Sequence, residues 1–196
     1  MIEQNKKARR AQMLMMARRR RQSGELSMIE AGAVMAAAAL LAVAVIAGGK
    51  YVLDLVHSSQ FKSEAQMFHT GILNATQNDA DFSAETLQIL AQNHAFDAAG
   101  SRLAANDSAV NGLFNNPLTV AVGTLVTAND SLILSYPTPA TICSMSVAAL
   151  TSVYTQVSVN GTIISSPTVA FSSATAATAC AAAGATATLA LYTTRT

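Results

Sequence analysis

The sequence predicts an α+β fold: one long N-terminal helix, membrane-like in its first half and amphipathic in its second, packed against an antiparallel β-sheet head with short helices. Three observations carry that prediction. Ala31–Gly49 is a nineteen-residue run without a charge, which at the helical rise reaches about 30 Å, the thickness of a hydrocarbon core. Past Lys50, residues Tyr51, Leu53, Leu55, Val56, Phe61, Ala65, Phe68, Ile72 and Leu73 largely keep three- and four-residue spacing, so the helix continues with one apolar stripe. From Leu118 onward, alternation and turn signals replace the helical period.

Taken in order, residues 1–24 form a basic leader. Met1–Gly24 holds Lys6, Lys7, Arg9, Arg10, Arg18, Arg19, Arg20 and Arg21 against Glu3, so a formal net charge of +1 hides a strong asymmetry. Everything from residue 25 on has only Lys50, Lys62, Arg102 and Arg195 against ten acids. A basic block so separated from the rest reads as a membrane address. A nucleic-acid site needs stacking aromatics or a folded basic face near the block, and neither stands there, so no nucleic-acid binding is expected. Positive charge stays on the cytoplasmic side, which sends everything after Lys50 outward. An ordinary cleaved secretion signal is the alternative, with Ala44-Val45-Ile46-Ala47-Gly48 as its cleavage site, but the helical pattern does not stop there.

The long helix is expected over residues 25–77, its apolar half covering about 26–49. Residues 78–196 are then enough for one head domain. Within the head, Asp79–Ala95 reads as a loop entering a short helix, with Ser83 as N-cap, Glu85 in the first turn, and Leu87, Leu90, Ala91 and His94 on one face. Leu118, Val120 and Val122 alternate, and the turn Ala128-Asn129-Asp130-Ser131 leads into Leu132-Ile133-Leu134. Thr138 as cap and Pro139 at the first helical position open a helix to about Tyr154. Asn160-Gly161 between Val157-Ser158-Val159 and Thr162-Ile163-Ile164 signals a hairpin. Thr168–Phe171 is expected as a further strand, Ser173–Ala183 as an Ala-rich helix stopped by Gly184, and Thr186–Tyr192 as a final strand.

Ser23-Gly24-Glu25-Leu26-Ser27-Met28-Ile29-Glu30, between the basic leader and the apolar run, resembles the prepilin-peptidase site of type IV pilins. Leu26–Ala31 and the long leader are especially similar to the type IVb subclass, which includes bundle-forming and toxin-coregulated pilins. The resemblance implies cleavage after Gly24 and methylation of the new amine of Glu25. It also implies pairing of the Glu30 carboxylate with the Glu25 amine of a neighbouring subunit. A cut after Gly24 places Glu30 at mature position six rather than the family's five. A cut after Glu25 restores five but lacks the glycine. Without the resemblance, Glu30 reads as an acid at headgroup depth near a helix N-terminus, where it is favourable.

The only cysteines, Cys143 and Cys180, lie in the half expected outside, where the compartment is oxidising. A disulfide is expected, similar to the bond that encloses the C-terminal region of pilins, with Ala176-Ala177-Thr178-Ala179-Cys180 locally similar to bundle-forming pilins. Two free thiols and a two-cysteine metal site are the alternatives; His57, His69 and His94 show no ligand spacing with them, and no metal or cofactor is expected. Asp79 and Asp81 read as a solvated turn. Asn-x-Ser/Thr triplets at Asn74, Asn106, Asn129 and Asn160 arise by chance in a chain this rich in those residues.

No nucleophile with base and orienter, phosphate loop or paired-carboxylate motif stands out, so an enzyme is not expected. The resemblance implies self-association as a helical homopolymer, with prepilin peptidase, the inner-membrane assembly machinery and, before assembly, the membrane as partners. The implied location is the bacterial inner membrane, then an extracellular pilus serving adhesion, aggregation, motility or conjugative contact. A minor pilin or secretion-system pseudopilin shares the helix, and an uncleaved single-pass protein with a periplasmic binding head shares the anchor.

Overall fold

A computed structural model describes residues 28–182 and 184–195. Helix α1 covers Met28–Ala75, ending two residues before the expected residue 77. Chain contacts divide the molecule at Lys50/Tyr51 into two units. In the first, residues 28–50 are helical throughout, as their Ala-rich sequence favours.

The second unit begins with the rest of α1 and holds the whole head. There follow α2 (Leu87–Gln92), a 3-10 segment (Asp97–Arg102), β1 (Thr119–Gly123), β2 (Ser131–Pro139), α3 (Ala140–Leu150), β3 (Gln156–Val159), β4 (Thr162–Ser165), α4 (Ser173–Ala182) and β5 (Thr186–Thr194). The strands form one antiparallel sheet in the order β1-β2-β5-β3-β4, so the last strand of the chain lies at its centre. β5 pairs along its whole length with β2, from Ser131 opposite Thr194 to Pro139 opposite Thr186. Its alternation is clean, with Ala187, Leu189 and Leu191 fully buried. The core joins that face to Phe61, Phe68 and Ile72 of α1, to Phe82, Leu90 and Phe96 beyond it, and to Ile142, Val147 and Leu150 of α3.

The β3–β4 hairpin forms as expected. Asn160 and Gly161 hold φ of 51° and 82°, the pair of left-handed residues a tight two-residue turn requires. Gly184, at φ 73°, follows the end of α4.

Four local expectations need correction. The N-cap of α2 is Thr86, whose Oγ1 accepts from the Ile89 amide at 3.2 Å. Ser83 does not serve, because its amide and hydroxyl both donate to the Asp81 carboxylate, at 2.9 and 2.5 Å. Glu85 therefore precedes the helix, and His94 lies past its end at φ 63°, exposed, while Leu90 and Ala91 are buried. Thr138 is a residue of β2 opposite Ala187 and does not cap α3; Pro139, with a fixed φ and no N–H to satisfy, marks the change from strand to helix. Helix α3 stops at Leu150, short of Tyr154, whose side chain is taken by α1. Thr168–Phe171 makes a single bridge, Ser166 to Val169, and no strand.

Candidate functional site

Two features that the sequence singled out can be followed in the structure: the helix α1, and the cysteine pair that closes the C-terminal region. Among the described residues, α1 is the one helix long and apolar enough to cross a membrane. Its large apolar side chains from Met35 to Val56 stand open to the surroundings, with Leu40, Val45 and Ile46 each more than 70% exposed. Tyr51, Leu53, Leu55 and Val56, assigned by spacing to the packed stripe, belong to this exposed set. Glu30 lies in the first described turns of α1. Gly24 and Glu25, the expected cleavage and methylation positions, lie outside the described residues.

Burial starts at Ser58. From there Ser58, Phe61, Glu64, Ala65, Phe68, Ile72 and Thr76 recur at helical spacing and are all buried. Five of them, Ser58, Phe61, Glu64, Ala65 and Phe68, meet defined partners in the head. The Ser58 and Ser146 hydroxyls lie 2.9 Å apart, tying α1 to α3. Phe61 and Phe68 meet Tyr136 and Phe96 edge-on, with ring centroids 4.7 and 5.2 Å apart. Tyr154 donates its hydroxyl to the Ala65 carbonyl at 2.6 Å, and His69 packs edge-on to the same ring. Burial lowers the His69 pKa, which favours the neutral ring.

Between these apolar contacts sits a polar cluster that the sequence did not reveal. Glu64 is buried, accepts the Tyr136 hydroxyl at 2.6 Å and forms a bidentate pair with Arg102. Arg102 also donates to the Asn111 carbonyl at 3.0 Å, and the Tyr136 oxygen accepts the Leu113 amide at 2.5 Å. Burial first, then the bond to Glu64, pushes the Tyr136 phenol far above its ordinary range, so it remains a donor at every physiological pH. The cluster fastens the strandless segment after the 3-10 turn to α1 and β2. No spacing rule links Glu64, Arg102 and Tyr136; only the fold brings them together.

Cys143 of α3 and Cys180 of α4 are joined, with Cα atoms 5.8 Å apart and both side chains fully buried. The bond closes a separation of 37 residues, a loop whose closure stabilises by roughly 3 to 4 kcal/mol on chain-entropy grounds. Asn160 supports the same region. Its amide nitrogen donates to the Ala179 carbonyl at 3.0 Å and its oxygen accepts the Thr188 amide at 2.9 Å, so a turn residue also ties α4 to β5.

The acidic pair Asp79 and Asp81 serves the head rather than standing free. The Arg195 guanidinium lies 3.7 Å from Asp79 and 4.7 Å from the centre of the Phe82 ring, fixing the end of β5 to the loop that leaves α1. Among the described residues, no three His, Cys, Asp or Glu side chains converge on a metal-sized site.

A helix of nearly fifty residues whose outer half is built into an antiparallel α+β head, with a disulfide linking two helices of the C-terminal region, defines a narrow architectural class. That class is the type IV pilin fold. The chain is similar to TcpA, a type IV pilin from Vibrio cholerae El Tor biotype, with a TM-score of 0.50 at 11% sequence identity over 70% of this chain and 98% of that one. No family model matches the sequence, and no curated protein matches it.

Proposed function

We propose that this chain is a structural subunit of a type IV pilus of the IVb subclass, with self-association in place of catalysis as its activity. The observation that carries the reading is the change of environment along α1. The large apolar side chains from Met35 to Val56 have no cover, and from Ser58 onward the same helix is anchored in the head. An uncovered apolar helix of membrane length needs lipid or other helices around it, and neighbouring copies of the same helix can replace lipid as subunits are drawn outward. Repeated head-to-tail packing of that kind is a non-closing contact and makes a fibre.

In this reading the precursor sits in the bacterial inner membrane with its basic leader inside. Prepilin peptidase cuts after Gly24, the Glu25 amine is methylated, and the assembly machinery extrudes the filament. Glu30 sets the stagger by meeting the Glu25 amine of the adjacent subunit, which neutralises both charges in an apolar core. The Cys143–Cys180 bond favours a pilin over a pseudopilin.

Intact-mass spectrometry with N-terminal sequencing, on protein from native cells, tests the proposal. The expected chain begins at Glu25, carries a methyl group on its amine and lacks two hydrogens at the cysteines. A chain beginning at Met1 would instead mean an uncleaved single-pass protein, and one beginning after Ala47 a secreted one.

A further inference from the structure

The face of α1 opposite its buried stripe carries a second pattern. Ser63, Gln66, Thr70 and Asn74 follow each other there at three- and four-residue spacing, all exposed. Beside them stands the segment 94–98, and between the two lies an open groove of about 610 Å³, within the size range of small-molecule sites. His94 and Asp97 line it from that segment, and Met67 and Ala98 add apolar surface. Gly71 sets the width: an added Cβ there would run into the Ala95 carbonyl, so glycine lets the segment lie this close to α1.

The fold alone does not call for these side chains. His94 is the residue that ends α2: its amide donates to the Ala91 carbonyl at 3.0 Å, and the Ala95 amide to the Leu90 carbonyl at 2.9 Å. That helix ending needs a left-handed residue, which glycine supplies without strain, yet His94 holds it at φ 63°. Ser63, Thr70 and Asn74 likewise form helix less readily than Ala, Glu or Lys on an exposed face. What they supply instead is hydrogen-bonding capacity. The His94 ring and the Asp97 carboxylate lie 3.2 Å apart, which orients both. Thr70 gives its hydroxyl proton to the Gln66 carbonyl at 3.1 Å, so its oxygen is left as an acceptor.

We infer that the groove binds a neutral oligosaccharide, a property of the head that does not depend on filament assembly. Sugar hydroxyls donate and accept at once, as do the side-chain amides of Gln66 and Asn74 and the hydroxyl of Ser63. The Asp97 carboxylate accepts from two adjacent hydroxyls through charge-assisted bonds. The C–H faces of the sugar rings suit Met67 and Ala98. The lining holds one carboxylate and no Lys or Arg, so an acidic sugar or a phosphate would lose water beside Asp97 and gain no cation. An acyl chain would strip the polar side chains of water and return no hydrogen bond.

The test titrates the full chain, solubilised in a detergent without a sugar head group, with cellotriose, chitotriose and trigalacturonate. Saturation-transfer NMR reads binding, and the melting temperature is taken on the same samples. Saturable binding of at least one neutral trisaccharide is expected, with the acidic one at least about tenfold weaker. His94→Gly and Asn74→Ala each favour the local backbone. The melting temperature should therefore hold or rise in both while affinity falls about five- to tenfold. Thr175→Ala, in a separate hollow beside α4, should leave affinity unchanged.

Absence of saturable binding by both neutral trisaccharides overturns the inference, and so does equal binding of trigalacturonate. Wild-type affinity in both His94→Gly and Asn74→Ala would put the sugar elsewhere and overturn it as well, as would an equal loss in Thr175→Ala. Should His94→Gly lose its melting transition, Asn74→Ala and Gln66→Ala, both on the exposed face of α1, decide with the same outcomes. None of these results bears on the filament reading, which rests on the uncovered half of α1.

Discussion

The two halves of α1 are made of similar material and end in opposite environments. Residues 35–56 are rich in Ala, Leu and Val and leave their large apolar side chains exposed; residues 58–76 have fewer apolar side chains and bury nearly all of those on one face. Apolar content therefore does not tell where a helix packs. What separates the halves is order. Apolar side chains all round the helix give the head no preferred face, while Phe61, Ala65, Phe68 and Ile72 at three- and four-residue spacing give it one.

The largest expected break in this contrast comes from truncating one side chain in each half. Phe68→Ala removes a fully buried ring from the core and should cost the head about 3–5 kcal/mol in denaturant unfolding. Leu41→Ala, at a side chain 68% exposed, should leave that transition within about 0.5 kcal/mol of wild type. Equal losses at both sites would mean that the first half also packs on the head.

Next in size is Glu64→Gln. The amide that replaces the carboxylate turns an N–H toward Arg102, leaving a guanidinium with 25% side-chain exposure short of its partner. A loss of about 3 kcal/mol is expected, at the low end for a broken buried pair because Arg102 still reaches water. Proteolysis of the segment between Arg102 and Leu118 should rise in parallel; unchanged cleavage there would show that the cluster does not hold it.

One substitution should have opposite signs in the two halves. At Gly71 an added Cβ would run into the backbone carbonyl of Ala95, so Gly71→Ala should destabilise by about 1–3 kcal/mol. At Gly48 an added Cβ meets nothing within 4 Å, so Gly48→Ala should favour the helix by about 1 kcal/mol. Thermal melts of the head report the first change, and circular dichroism of the detergent-solubilised chain reports the second.

The smallest effect is a pH dependence at the base of the head. Partial burial first, and then Asp79 nearby, holds the Glu85 carboxyl above its usual range. A raised folded-state pKa means that the folded head holds this proton more tightly than the unfolded chain. That contribution is complete below the ordinary carboxylate pKa and is lost as pH rises through the folded value. Glu85→Gln should therefore raise the melting temperature at neutral pH and change it little in acid. A gain confined to acid would reverse the assignment.

Much of the fold was legible because its signals are local. The end of α1, the Asn160-Gly161 turn, the helix stopped by Gly184 and the last strand each follow from a period or a turn residue within a few positions. The expectations that failed were also local, and each lost to a contact from elsewhere in the fold or the loop. Ser83 was a sound cap until Asp81 took its hydroxyl. Tyr154 carried the apolar pattern of α3 past its end because the Ala65 carbonyl, 89 residues away, holds its side chain. Of the site residues, the cysteines were legible from their number and compartment. The Glu64–Arg102–Tyr136 cluster was not, since Arg102 and Tyr136 lie 38 and 72 residues from Glu64.

By itself the sequence determined the charge-free run, the long helix and the alternation of the strands, because periodicity and charge are properties of neighbouring residues. Tertiary structure alone decided that burial begins at Ser58, that the last strand sits in the middle of the sheet, and that a buried carboxylate anchors a distant loop. Those outcomes depend on which surfaces meet after the chain has closed on itself, and that pairing is written in no single segment.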